Sequence, residues 1–295
     1  MAVQALRSFI DQYDRKKHNI QEINTCTILN DSSCSTYSIP NNEKSKFFLL
    51  YANVIKERTN DEFNILERVP AEKTPILIDI DLKQSSNKRI YTIQHIKYVL
   101  EIFKRVTSKY FNIMDQKVYK AYVLEKQCPI PGVKTHFVHY NSMNIVYRDG
   151  IHIVYPYFIV DRSMFKKILN EMNEYISNFE DVNNPFATIR NELRMQSNNI
   201  LDITIPTNNW HLYGSGKSKE SIYTLTRRYN YKLESEDISQ EVNDTHSLIR
   251  LFSVQNKHDM PCVNIKKYFQ LSNNNNYDTV DYDSDAEYSE DEDNL

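Results

Sequence analysis

The stretch Ile76-Leu77-Ile78-Asp79-Ile80-Asp81-Leu82 limits the possible folds of this chain more than any other. It follows Pro75 and is built from β-branched and apolar residues, so it reads as a short strand buried on at least one face. Residues i and i+2 of a strand project from the same face, which sets Asp79 beside Asp81. Burying two like charges without compensation is costly through both repulsion and desolvation. Two arrangements answer that cost: divalent cations shared by the carboxylates, or a solvent-facing strand end with Lys83 as a partner.

The 295 residues suffice for one large domain or two closely packed modules. Cys26, Cys34, Cys128 and Cys262 are widely spaced with no C-x-x-C pair, and the N-terminus lacks an apolar signal core. No apolar run approaches the roughly 18 residues of a membrane span. These features predict a soluble, non-secreted protein of a reducing compartment, with no membrane partner. The net charge of -3 is uneven: nine acids and no base follow Tyr277, leaving 36 bases against 30 acids in residues 1 to 277. A body of +6 suits a polyanionic partner without proving one.

Apolar spacing predicts amphipathic helices over residues 2 to 17, over 92 to 111 with Thr92 as N-cap, and over 163 to 179 opened by Ser163 or Asp161. Phe47 to Val54 reads as strand or helix, after a polar loop reaching to about residue 45. Further strands are expected at Lys120 to Glu125, Asn144 to Tyr147, Gly150 to Tyr155, Ile200 to Ile205, His211 to Tyr213 and Ser221 to Tyr229. Strands and helices alternate without a regular beat, which favours an α+β fold. Residues 1–272 read as the folded unit, and 273–295 as a disordered acidic tail or linker.

Several further residues carry possible chemistry. In Asp149-Gly150-Ile151-His152-Ile153-Val154, alternation turns Gly150 and His152 to one face, and the glycine leaves room for a bulky ligand. His152 could donate to phosphate oxygens, or be a core histidine. Asp202 could add a third carboxylate from another strand, or be a surface aspartate. The segment Asn209-Trp210-His211-Leu212-Tyr213-Gly214-Ser215-Gly216-Lys217 combines aromatics with a flexible basic turn, able to hold phosphates or to be a polar hairpin. It is not a nucleotide-hydrolysing P-loop, because His211 stands where that pattern needs glycine. Cys128, His136 and His139 share one loop and could recruit Cys262, but C-x7-H-x2-H is not a standard finger, so structural zinc is not expected.

In order, Asp79-Ile80-Asp81, Gly150-Ile151-His152, Leu201-Asp202 and the turn ending at Lys217 resemble the motifs of the archaeo-eukaryotic primases. The string Asp-Gly-Ile-His-Ile-Val-Tyr-Pro is especially close to the primase part of large-DNA-virus primase-helicases, and the turn is similar to that of eukaryotic primase-polymerases. The resemblance implies two modules, an N-terminal α/β unit and an RRM-like antiparallel sheet carrying the acids. It implies Mg2+ or Mn2+ on Asp79, Asp81 and Asp202. It further implies a triphosphate held by His152 and Lys217, with Gly150, Ser215, Asn209 and His211 around it. Eukaryotic relatives carry arginine at the position of His211, which puts a phosphate contact there in question.

A chain of this kind would synthesise primers on single-stranded DNA from nucleoside triphosphates during DNA replication, beside a helicase in cis or in trans. If viral, it would work in the host cytoplasm or nucleus. Two rivals stay open. Asp81-Leu82-Lys83 resembles half of a PD-(D/E)xK nuclease motif, and a noncatalytic nucleic-acid-binding module would make no use of Asp79.

Overall fold

The computed structural model describes residues 1–18, 26–30, 33–57, 64–113, 115–132, 146–193, 199–216, 221–257 and 259–266. Its helices are α1 (Ala2–Ile10), α2 (Arg15–His18), α3 (Lys44–Lys56), α4 (Ile93–Tyr110), α5 (Arg162–Ile176), α6 (Phe186–Ile189) and α7 (Thr245–Phe252). Its strands are β1 (Cys26–Asn30), β2 (Ser33–Thr36), β3 (Asn64–Arg68), β4 (Thr74–Gln84) and β5 (Ala121–Lys126). β6 (Ile130–Pro131), β7 (Tyr147–Val160), β8 (Asn209–His211), β9 (Tyr223–Tyr229) and β10 (Ser235–Glu236) complete them. The fold is α+β, and every strand pair described is antiparallel. No helix among the described residues is long and apolar enough to cross a membrane.

The larger sheet runs β10-β9-β5-β7-β4, with β6 paired to β7, and the smaller runs β2-β1-β3-β8. Each has its own apolar core. Ile78, Ile80 and Leu82 of β4 join Ile151 and Ile153 of β7 with Val99, Phe103, Phe165, Leu169 and Met172 of α4 and α5. This core forms because alternation in the strands and the helical period in α4 and α5 both turn apolar residues to one side. The second core gathers Leu6, Phe9, Phe47, Phe48, Tyr51, Ile65, Leu212 and Ile249 around α1 and α3.

Local chemistry sets the ends of the long helices. Thr92 caps α4 by accepting from Gln94 N, and His95 closes the capping box from inside the helix. Asp161, not Ser163, caps α5, accepting from Met164 N at 2.8 Å. The N-terminal helix stops at Ile10, and Asp14 then accepts from Lys16 N and Lys17 N to start a new turn.

Residues 200 to 205 do not form the expected strand. Leu201 makes a single bridge to Ile80, after which Asp202 Oδ1 accepts from Thr204 N at 2.8 Å and from its hydroxyl at 2.6 Å. That side-chain turn competes with the ladder, and a 3-10 turn containing Pro206 follows.

Candidate active site

Strand register assembles the site. β4 pairs with β7 so that Asp79 faces His152 and Asp81 faces Gly150. β5 pairs with β7 so that Leu124 faces His152 and Glu125 faces Ile151, which carries Lys126 to the side of Gly150. Lys126 in turn faces Tyr223 on β9, and Leu124 faces Leu225. Directly opposed residues share a face, so two rows cross the sheet: Tyr223, Lys126, Gly150, Asp81, and next to it Leu225, Leu124, His152, Asp79. Asp202 enters from beyond β4, its N–H donating to Asp79 O at 3.0 Å.

Asp79 keeps 23% of its side-chain exposure and Asp81 44%. Burial is the main reason the Asp79 carboxyl is pushed up to about 8, and the nearby charges of Asp81 and Asp202 push it the same way while Lys126 opposes them. Its Oδ1 is buried and accepts no hydrogen bond. His152 Nε2 lies 3.5 Å from it. Burial drives the His152 imidazole well below its usual range, helped by the charges of His211 and Lys126, so the ring is neutral at pH 7. Its plane is clamped between Tyr223, stacked with centroids 3.5 Å apart, and Trp210 at 4.3 Å.

Trp210 is delivered by the smaller sheet, where it faces Glu67 on β3. Buried Glu67 accepts from Ser253 Oγ at 2.6 Å and Val254 N at 2.8 Å, which ties β3 to the end of α7. Burial pushes the Glu67 carboxyl up to about 7, against the pull of Lys44 and Lys257. The same burial lowers the Lys257 ammonium to about 8.

The structure corrects two sequence expectations. The space over Gly150 is filled by the protein itself: a Cβ there would lie 2.5 Å from the Tyr223 hydroxyl and 2.9 Å from Ile80 O. Ser215 is buried, and its hydroxyl accepts from Ile65 N at 2.5 Å, so it fastens the turn to β3. Gly214 needs its glycine for a φ of +78°, with Ile55 packed against it. Cys262 cannot join Cys128 on a zinc ion. Ile130, two residues after Cys128, pairs with Arg148, whereas Val263 donates to Ile159 O. Those β7 positions are eleven residues apart, roughly 36 Å of strand. Among the described residues no group of three or more His, Cys, Asp or Glu side chains is arranged to hold a metal ion, and the Asp202 carboxylate accepts from Thr204 N.

Of the remaining expected residues, His211 lies partly buried on β8 beside Trp210, and Asn209 is exposed at the start of that strand, across from Arg68. Lys217, His136, His139 and the acidic tail lie outside the described residues. Lys126 and Tyr223 were not picked out from the sequence, and Trp210 only as one of the aromatics leading into the turn. The alternation of β5 carried the signal for Lys126, but recognising it requires the register with β7.

Residues 25–229 match the model of the C962R protein N-terminal AEP domain, and this span holds both rows and Asp202. The chain therefore belongs to that family, within the archaeo-eukaryotic primase superfamily. It is 26% identical over 266 residues to "Putative helicase L207/L206" of Acanthamoeba polyphaga mimivirus, covering 84% of this chain and 26% of that protein. It is 25% identical over 212 residues to "Putative helicase 184R" of Invertebrate iridescent virus 6, covering 68% of this chain and 20% of that one. The chain thus spans about a quarter or less of the length of these relatives.

Proposed function

We propose that this chain is the primase part of a viral replication enzyme, a metal-dependent nucleotidyltransferase that starts and extends primers on single-stranded DNA from nucleoside triphosphates. The observation that carries the reading is Asp79: a largely buried carboxyl group with an orphaned oxygen, set beside a second acid and opposite a neutral histidine. Natural folds seldom keep such a group unless something binds it.

The donor set suits Mg2+ or Mn2+. Asp79 and Asp81 offer hard oxygen ligands from one strand face, and Asp202 would complete the set on leaving Thr204. Bound there, a divalent cation would supply positive charge to the attacking 3′-hydroxyl and the departing pyrophosphate. The protein's share is alignment. His152, neutral and clamped between two rings, keeps an N–H for a phosphate oxygen without adding a charge of its own. Lys217, two residues after Ser215 in the sequence, is proposed as a second phosphate contact. Exposed lysines and arginines around the sheet would track the template backbone. The helicase names of the relatives support a working association with a helicase, in cis or in trans.

The test is a primer-free reaction with single-stranded template, labelled nucleoside triphosphates and Mn2+ or Mg2+. The expected product is a dinucleotide that is then extended. Degradation of the template without incorporation would favour a nuclease. Extension of a supplied primer without de novo starts would retain the polymerase and remove the primase.

A further inference from the structure

Lys126 is a lysine where the fold could most easily have placed an apolar residue. It ends β5 with only 8% of its side chain exposed, between Tyr223 and Gly150 in the acid-bearing row. Its Nζ lies 3.9 Å from Asp81 Oδ1 and 5.1 Å from the centre of the Tyr223 ring. β5 and β4 are two strand spacings apart, roughly 9.6 Å. A side chain rising from β7 between them would block the way, and at Gly150 there is none. The glycine is thus a pass across which β5 and β9 reach the acids on β4. The Tyr223 hydroxyl fills one side of it, and the Lys126 ammonium reaches Asp81 from β5.

A buried ammonium needs an anion in every state of the site. The two other carboxylates near this end of β5, Glu125 and Asp149, are already engaged by Arg89 and Arg227. Asp81 is the acid that Lys126 pairs with at 3.9 Å, and Asp81 is also a proposed ligand of the divalent cation. When the cation takes Asp81, the ammonium has to turn to the anion that arrives with it.

We propose that Lys126 is an exchangeable counter-ion: it neutralises Asp81 while the site is free of metal, and moves to the polyphosphate of the incoming nucleotide when a divalent cation occupies Asp81. This rests on the nucleotidyltransferase reading. A flexible stem and a compact charge with three donors suit a group that must change partners, whereas the planar fork of arginine suits one fixed partner. The device would also keep the empty acid cluster from repelling itself and couple cation entry to triphosphate capture.

The experiment measures two affinities in wild type and Lys126→Met, which removes the charge and keeps the length. Mn2+ binding without nucleotide is followed by electron paramagnetic resonance, and binding of a non-hydrolysable nucleoside triphosphate is followed by calorimetry in saturating Mn2+. The expected changes have opposite signs: Mn2+ binds about tenfold more tightly because a competing charge is gone, and the triphosphate about tenfold more weakly. Lys126→Arg, which keeps the charge, should restore wild-type Mn2+ affinity, and it guards against a misfolded Met variant. If both affinities fall together, or neither moves, or Mn2+ alone responds, the exchange is overturned. Failure of the wild type to bind Mn2+ would remove the metal site, and this proposal with it, before any variant is compared.

Discussion

Two groups of buried charge share strands β5 and β7, and they are built in opposite ways. In one, Asp149 and Glu125 are almost wholly enclosed, and all four of their carboxylate oxygens are engaged. Arg89 grips Asp149 through Nε at 2.9 Å and Nη2 at 3.1 Å, and Gly150 N donates to the same carboxylate. Tyr91 and Arg89 serve one oxygen of Glu125, and Thr226 and Arg227 serve the other. In the second group, on the opposite face, Asp79 holds a buried oxygen without a donor, and its carboxyl is pushed far above the usual carboxylate range. The first cluster is satisfied and acts as scaffold for the Asp149-Gly150-x-His152 strand. The second is left unsatisfied by the protein, as a site that waits for a ligand must be.

The comparison breaks most visibly at Arg89. Arg89→Met would strand the Asp149 charge and leave Glu125 with Arg227 as its ion-pair partner, and should cost about 3–5 kcal/mol in urea unfolding. A loss below about 1 kcal/mol would mean that the cluster is not scaffold.

At Asp79 the sign reverses. The folded protein holds a proton on this carboxyl up to about pH 8, whereas the unfolded chain releases it near pH 4. Folding therefore binds a proton between those values, and the stability of the metal-free protein falls as pH rises through that window. Asp79→Asn removes the liability, so at pH 9 without metal it should be the more stable protein by about 2–3 kcal/mol, with the difference closing towards pH 4. Thermal unfolding across that range decides it, and a variant less stable than wild type at pH 9 would contradict the assignment.

Gly150→Ala sharpens the picture, because its Cβ would meet both the Tyr223 hydroxyl and backbone at Ile80. A cost of about 1–3 kcal/mol is expected, partly relieved when Tyr223→Phe is added, because only the hydroxyl contact can yield. Additive effects of the two changes would place Tyr223 elsewhere. The smallest effect belongs to Thr204→Val, which frees Asp202 from one exposed donor. Stability should move by less than about 0.5 kcal/mol while Mn2+ binding tightens measurably. Unchanged Mn2+ affinity would remove Asp202 from the proposed ligand set.

How far these features were legible in the sequence depended on whether a local rule governed them. β4 follows from β-branched density, and α4 and α5 follow from their apolar stripes and the caps at Thr92 and Asp161. Asp79 and Asp81 were visible as a pair because alternation along β4 sets them on one face, whereas the register with β7 is what sets His152 opposite Asp79. Features settled by distant partners were not visible. β3 is short and contains Glu67, whose burial makes sense only through Ser253 and Val254 far along the chain. Residues 200 to 205 look like a strand by composition, yet the bond from Thr204 to Asp202 wins over the ladder. Gly150 was legible as a gap, but what fills it comes from β5 and β9.

The central claim is that the unsatisfied cluster exists for chemistry and not for the fold. One measurement tests it directly: primer-free synthesis by Asp79→Asn, made beside the wild type on a single-stranded template with Mn2+, with both proteins shown folded by their unfolding transitions. The account predicts a variant at least as stable as the wild type at pH 8 that makes no dinucleotide. A folded Asp79→Asn protein that primes at the wild-type rate would contradict it.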